Sequence, residues 1–503
     1  MTGTSTTIGP ESELVVDDLL IHLKQGVKRR LHPGRKLPEP VLEPDQPWEG
    51  VRVYVYGTIS YDADESIFKM WYLARMGSVT EGRCPGLLRQ GDVVLYATSP
   101  DGIKWEKPHV GQKEFDGSKD NNIVLMNFHS PTVFVDDEAP SEERYRFLGW
   151  NWDGEQGYLA AHSSDGIRWV EYPGNPVIPA NEVLETMTVA RHPKTKEFFG
   201  YHRRWAKTEK FKTGDTGYYD KRRAIALTRS RDFSSWSAPK MILTQDEEDD
   251  AWSQKPQERT EFYNLSGFSY GSQFLGFLPI FKIMTVTPRT SPGDRPGVGE
   301  REVDRSSGAL GAEQSPWDGP LEAQLVHSRD GVQWNRFEDR SPIIPRGQPG
   351  SYDAGCILAV ADRPIIVGDE VWVYYTGINT THGGPIPPKQ ASICRAVWRL
   401  DGFVSLESGS DGGVVETVPV LLQGNRLVVN ADASKGKLEV ELLSENGSPL
   451  TGYTRLDCET ISSDSIRQTV RWKNGEDINN TEALRIRFFL TNAHLYSFCS
   501  PAV

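Results

Sequence analysis

Several short segments of this chain place an acid or a histidine at the head of an apolar, β-rich run. Glu49 stands in PWEGVRVYVYG, His129 and Ser130 in FHSPTVFVDD, and Glu185 in NEVLETMTVARHP. Glu261 precedes FYNLSGFSYG, and Asp353 lies in GSYDAGCILAV. Carboxyl groups do chemistry when two of them flank one bond. One protonates a leaving oxygen, and the other attacks carbon or activates water. Glu182 is a second choice beside Glu185. Arg203 and Arg204, in YHRRW, have the charge to pair with such acids and keep them ionised. His129, Ser130 and His382, the last opening a Gly-rich loop in YYTGINTTHGG, carry groups that hydrogen-bond a polar substrate.

These residues are far apart in sequence, so something must bring them together. The pattern S-x-D-(G/F)-x-x-W supplies the clue. It occurs as SPDGIKW at Ser99, SSDGIRW at Ser163, SRDFSSW at Ser230 and SRDGVQW at Ser328. The steps are 64, 67 and 98 residues, and the longest contains the Pro/Gly-rich stretch 288–316, which reads as an inserted loop. Each copy follows a short apolar strand. The Asp-Gly pair reads as a tight turn, and the Trp as a residue packed between neighbouring repeats. RLDGFVSL near residue 400 looks like a degenerate further copy. Four or five strands in each repeat of about 65 residues fit the blade of a small β-propeller.

The expected fold is therefore all-β: a five-bladed β-propeller over residues 41–403, followed by a C-terminal β-sandwich over 404–503. Residues 1–40 are expected to pack on the propeller as an N-terminal extension. In a propeller the innermost strand of each blade delivers a side chain to one end of the axial funnel. The acids at those strand starts converge there, away from the motif turns. Trp71 and Tyr72 read as core, and Asp136, Asp137 and Asp116-Gly117 as turn chemistry.

The blade repeats, the RLDGFVSL exit and the sandwich together resemble the family 32 glycoside hydrolases, the invertase and fructanase group, and their wider clan of propeller glycosidases. The resemblance covers most of the chain. It implies three acids at the entries of the first three blades. Glu49 and Glu185 stand where the first and third belong, whereas Ser130 stands where the second, an Asp, belongs. The chain thus looks like a divergent relative. The resemblance implies a glycosidase or transglycosidase acting on a furanose-containing saccharide, fructosyl or arabinosyl. Glu49, Glu185 and Asp353 would be its catalytic residues, with His129, Ser130, Arg203, Glu261 and His382 binding substrate. Two rivals remain: a phosphate-dependent phosphorylase using one acid, and a carbohydrate-binding propeller without catalysis.

Composition sets the outer limits. The 503 residues carry a net charge of −13 with no long basic run, which argues against nucleic acid as the main partner. The five cysteines (Cys84, Cys356, Cys394, Cys458, Cys499) show no CxxC spacing, so neither a disulfide framework nor a zinc site is expected. No P-loop, HExxH, GxSxG or EF-hand loop occurs, and no metal or cofactor is expected. QDEEDD reads as a solvated loop. The opening segment lacks a secretory pattern, and no apolar run is long enough to span a membrane. The expectation is a cytoplasmic protein, with homo-oligomerisation left open.

Overall fold

The structure is a computed structural model that describes residues 6–76, 91–207, 221–255, 258–286, 317–385 and 388–502. The expected inserted loop at 288–316 and Cys84 lie outside these residues. The chain is all-β. Among the described residues only short 3-10 turns, such as Pro47–Glu49, interrupt the strands. None of the described residues forms a helix long and apolar enough to cross a membrane.

The repeats fold as antiparallel meanders. The first runs Val53–Tyr54, Ile67–Arg75, Asp92–Ser99, Ile123–Met126. The second runs Phe128–Val135, Tyr145–Asn151, Gly157–Ser163, Val170–Glu171, and the third Met187–Arg191, Phe198–Lys207, Lys221–Ser230, Lys240–Leu243. A ten-stranded sheet holds the next two, which meet at a single parallel pair, Leu321 with Cys356. One is built on Ser266–Tyr270, Gln273–Ile283, Leu321–Ser328 and Trp334–Arg336, with Arg259–Phe262 beside Gln273–Ile283. The last is built on Cys356–Val360, Glu370–Ile378, Ala391–Arg399 and Arg35–Lys36.

The first strand of each meander is a buried sheet edge, apart from the single parallel pair at Cys356, so its outward carbonyls lack ladder partners. Hydroxyl groups meet that need. Thr132 Oγ1 donates to Met187 O (3.0 Å), Thr188 Oγ1 to Leu265 O (2.6 Å) and Ser266 Oγ to Val360 O (2.7 Å). Thr58 Oγ1 donates to Asp362 Oδ2 (2.8 Å) and accepts from Val133 N (3.1 Å). Followed from meander to meander, these bonds return to their starting residue. They form a closed belt of polar links between the meanders.

The repeated motif makes the same turn four times. Ser163 Oγ accepts from Gly166 N (2.9 Å), and Asp165 Oδ1 accepts from Ile167 N (2.9 Å) and Arg168 N (2.8 Å). Ser99–Asp101, Ser230–Asp232 and Ser328–Asp330 repeat this pattern. The glycine after the Asp then docks on an aromatic of the preceding meander. Trp71 Nε1 donates to Gly166 O (2.6 Å), Tyr201 Oη to Gly331 O (2.9 Å) and Tyr374 Oη to Gly102 O (2.8 Å). A Cβ on Gly166 would lie 2.5 Å from the Trp71 ring, so side chain and partner exclude each other. The third copy reverses the arrangement. Phe233 replaces the glycine at φ 68°, and the second-strand position equivalent to Trp71 and Tyr201 is Leu148. Phe233 and Leu148 share one buried cluster. The motif Trp packs on the preceding meander at Trp105 against Tyr374 and Trp334 against Tyr201, whereas Trp169 packs on Phe147 of its own.

Beyond residue 403, two six-stranded sheets share one core that includes Leu427, Val440, Ile486, Phe488 and Leu495. The N-terminal segment contributes strands to both. Thr6–Ile8 pairs with Val420–Leu422 and Ile21–Gln25 with Gly413–Thr417. Glu13–Leu14 pairs with Ala493–Cys499, and Lys28–Leu31 with Val404–Ser408. The same segment touches the meanders through Asp17 and Glu13, which accept from Arg329 at 2.7 and 3.1 Å.

The exchange of bulk between Phe233 and Leu148 predicts a coupled pair. Phe233→Gly should cost about 3 kcal/mol by opening a cavity, and Leu148→Trp about 1–3 kcal/mol by overpacking. The double variant should cost less than the sum by about 1 kcal/mol or more in urea melts. Strict additivity would show that the two residues do not share one space.

Candidate functional site

Because successive strands run antiparallel, the start of each first strand, the end of the second and the start of the third lie at one end of a meander. Pairs such as Val53 with Ala74, Arg75 with Asp92, and Phe128 with Asn151 mark that end. The motif turns stand at the other. Side chains from every meander gather at the first end.

Asp92, the first residue of its strand, is fully buried and is held on several sides. Arg75 donates to it through Nε (2.7 Å) and Nη2 (2.9 Å), Trp152 Nε1 donates at 2.7 Å, and His129 Nδ1 lies at 3.0 Å. Burial alone would raise its pKa, but Arg75 and His129 outweigh burial and hold this carboxyl far below the usual 3.8. Carboxylate oxygens only accept, so the proton of the His129 ring sits on Nδ1. The ring is flanked by Tyr56 (5.0 Å between centroids) and Trp152 (5.9 Å).

Glu185 precedes the first strand of the third meander. Its Oε1 accepts from Arg203 Nη2 at 2.6 Å, and its side chain keeps 27% of its surface exposed. Desolvation pushes its pKa up, but the charges of Arg203 and Arg223, with His129 contributing, hold it below 4.5. Glu185 is therefore ionised at neutral pH. The Arg203 guanidinium lies 4.6 Å from the Tyr263 ring centre, and that of Arg223 lies 4.9 Å from Trp317. Glu261 is fully buried between Arg259 Nε (2.7 Å) and Arg223 Nη1 (3.0 Å).

His382 closes the circle. Its Nδ1 faces Trp317 O at 3.3 Å, and a carbonyl can only accept, so Nδ1 carries the proton there. Nε2 then accepts from Tyr263 Oη (3.2 Å), which in turn accepts from Tyr56 Oη (3.4 Å). Burial, then the Lys389 and Arg223 charges, push His382 well below 6.5, so the ring is neutral. Lys389 donates to His382 O, and burial followed by the Arg52 charge pulls its own pKa down to about 8. The result is a cluster of ionised and hydrogen-bonding groups set among tyrosine and tryptophan rings, with one partly open carboxylate, and it is called the chamber below. No group of three His, Cys, Asp or Glu side chains suited to holding a metal ion occurs among the described residues.

The structure thus brings together Glu185, Arg203, His129, Glu261 and His382. It places the others differently. Glu49 is fully buried and its carboxylate is saturated: Tyr72 Oη donates at 2.7 Å, Lys107 Nζ at 2.8 Å, and the Asp45 and Gln46 amides at 2.9 and 3.0 Å. Asp353 is buried against Lys36 Nζ (2.7 Å), Tyr375 Oη (2.9 Å) and Ser351 Oγ (3.1 Å). None of these partners belongs to the chamber. Ser130 is fully buried at φ 49°, and its hydroxyl bridges Met187 N and O at 3.3 and 3.4 Å. Its hydrogen-bonding capacity joins two meanders instead of facing a substrate. Arg204 donates to Pro239 O (3.3 Å). Asp92, Arg75, Trp152, Tyr56, Tyr263 and Lys389 join the chamber unannounced by the strand-start rule.

No family model and no curated protein matches this sequence. Solved structures similar to the chain include a family GH32 beta-fructofuranosidase of Bombyx mori, at 11% identity and TM-score 0.41, covering 92% of this chain and 95% of that one. They include a fructofuranosidase variant from Schwanniomyces occidentalis complexed with fructosylnystose, at 11% identity and TM-score 0.40, covering 91% and 96%. Another comes from the GH130 family of mannoside phosphorylases, described as containing hydrolases that target β-1,2 mannosidic linkages in Candida mannan. It stands at 11% identity and TM-score 0.42, covering 77% and 96%.

Asp92 anchors one side of the chamber electrostatically. Asp92→Asn should lower stability at pH 7 by about 3 kcal/mol, the scale for breaking a buried ion pair. A depressed carboxyl pKa stabilises the fold above its unfolded value of 3.8 and loses that effect as pH falls towards the folded value. The gap between parent and variant in urea melts should therefore be constant above pH 5 and narrow below about 3.8. A gap that does not narrow on acidification would show that Asp92 acts by shape alone.

Proposed function

We propose that this chain is a glycoside-processing enzyme, a hydrolase or transglycosidase acting on a furanose-containing saccharide with a fructosyl or arabinosyl unit. In this reading residues 41–403 form a five-bladed propeller, 404–503 a C-terminal β-sandwich, and 1–40 an extension stitched to both. The belt of hydroxyl bonds returning to Thr58 supports the closed ring of meanders. The observation that carries the function is Glu185. It is a carboxylate kept ionised by Arg203 and partly open, and its neighbours in the site lie on aromatic faces: Arg203 on Tyr263, Arg223 on Trp317, and His129 between Tyr56 and Trp152. Aromatic faces pack on the C–H faces of a sugar, and the polar groups between them fix its orientation. An ionised carboxylate is suited to attack the anomeric carbon or to take a proton from water. Glu49 and Asp353 act here as buried anchors.

A second reading has a specific observation in its favour. Of the three acids expected at the reaction centre, only Glu185 has an open side chain; Glu49 is 0% and Asp353 1% exposed. Inorganic phosphate would then serve as nucleophile, making the enzyme a phosphorylase.

Incubation with fructosyl and arabinosyl oligosaccharides, with and without phosphate, separates the two. Free sugar released at equal rates in both conditions indicates hydrolysis. A sugar 1-phosphate or 2-phosphate formed only with phosphate indicates phosphorolysis. Glu185→Gln should reduce turnover by about 10²–10⁴-fold while substrate still binds. Saccharide binding with no turnover in the parent, unchanged by Glu185→Gln, would leave only a carbohydrate-binding protein.

A further inference from the structure

We propose that His129 is the catalytic proton donor of this site, with Asp92 and Arg75 as the residues that position it. The inference rests on the glycoside-processing reading and goes beyond it, because that reading supplies a base or nucleophile but no acid.

The other groups in the chamber are committed elsewhere, Lys389 donating to His382 O and Tyr263 to His382 Nε2. Glu185 is ionised beside Arg203 and has no proton to give. Glu261 lies buried between two arginines. His382 has both ring nitrogens occupied, one by Trp317 O and one by Tyr263 Oη. Tyr56 donates inward to Tyr263, and burial, then Tyr263, holds its hydroxyl well above 10. Asp92 is fully buried and accepts from Arg75, Trp152 and His129.

His129 differs from all of these. One ring nitrogen, Nδ1, is fixed by Asp92 at 3.0 Å, and no partner for Nε2 is found among the described residues. Tyr56 and Trp152 fix the plane of the ring. Asp92 is in turn held by two nitrogens of Arg75 and by Trp152 Nε1, so it cannot turn away. A histidine with one nitrogen anchored on a buried carboxylate and the other without a partner among the described residues is the arrangement of an oriented acid–base catalyst. The groups facing the ring are Asp92 and Arg75 from the first meander, Tyr56 beside them, and Glu185 from the third. Asp92 supplies the countercharge that an imidazolium requires.

The step balances as follows for hydrolysis. Glu185 takes a proton from water as the water oxygen bonds to the anomeric carbon. The bond from that carbon to the leaving oxygen breaks, and its electron pair stays on the oxygen. The leaving oxygen takes the Nε2 proton of the His129 imidazolium. Glu185 ends protonated and His129 neutral, and one proton passes back from Glu185 to His129 through solvent.

The test uses the full-length chain with two probes, a 4-nitrophenyl furanoside, whose leaving group needs no proton, and the corresponding methyl furanoside, whose leaving group does. His129→Gly should slow the methyl substrate by about 10²–10⁴-fold in kcat and the nitrophenyl substrate far less. Added imidazole should restore turnover of the methyl substrate at least tenfold, and the alkaline limb of the parent's pH profile should vanish in the variant. His129→Gln, which keeps a polar side chain, should show the same leaving-group dependence without rescue. Equal slowing of both probes with no imidazole rescue overturns the inference and leaves His129 a binding or structural residue. A parent that cleaves no glycoside overturns the function and this inference together. An active parent with fully active His129 variants overturns this inference alone.

Discussion

The structure depends on a belt of hydroxyl groups that links its meanders. Packing meanders side by side around one centre buries an open sheet edge from each, and an open edge inside a protein leaves peptide carbonyls without partners. Thr132, Thr188, Ser266 and Thr58 meet that requirement with side-chain donors that reach across to the neighbouring meander. β-branched threonine suits the task, because it holds a strand geometry and a hydroxyl at once. One link differs in kind. Thr58 bonds the carboxyl of Asp362, which burial pushes up to about 6, so the bond that closes the circle is the one with a titratable partner. Everything at the site end, from Asp92 to His382, is held in register by the strands this belt fixes.

The chamber is built from charge as much as from aromatic surface. Arg75 with Asp92, Arg203 with Glu185, and Arg223 and Arg259 with Glu261 are partnered at 2.6–3.0 Å. Each of these carboxylates is matched by a guanidinium before any ligand arrives, and two of the guanidinium groups lie on aromatic faces, Arg203 on Tyr263 and Arg223 on Trp317. Such pairs contribute little net stability, because desolvation cancels much of the attraction, but they fix where ionised groups stand. A site that must keep one carboxylate ionised in a low-dielectric chamber needs this arrangement.

What the sequence revealed followed the range of the interactions involved. The motif turns were legible because Ser, Asp and Gly bond their own neighbours; Ser163 to Gly166 is a four-residue event. The placement of the site opposite those turns followed from strand alternation alone. Glu185 and His129 stood out for the same reason, Arg203 as a charge partner for such acids, and His382 as the residue that opens a Gly-rich loop. Glu49 and Asp353 obeyed the same local rule but are captured by Lys107 and Lys36, residues 58 and 317 positions away, which no local pattern reports. Asp92 was missed although a signal existed. It opens DVVLYATS, the very strand that ends in the first motif copy, and the site end includes the start of every third strand as well as every first. Phe233 was visible as a departure from the motif, but its counterpart Leu148 acquires meaning only once the register makes it the equivalent of Trp71 and Tyr201.

The pairing of Thr6–Ile8 with Val420–Leu422, and of Glu13–Leu14 with Ala493–Cys499, has a bearing on how the protein comes to exist at all. During synthesis the first strands leave the ribosome hundreds of residues before their partners. For that interval they are unpaired edges beside a growing set of meanders, and contacts of such sequence separation form slowly. Lys24, Lys28, Arg29 and Arg30 lie in or beside these waiting strands, and charge on an unpaired edge disfavours association with another chain. These two sheets are thus a late seam, completed only when strands made hundreds of residues apart meet.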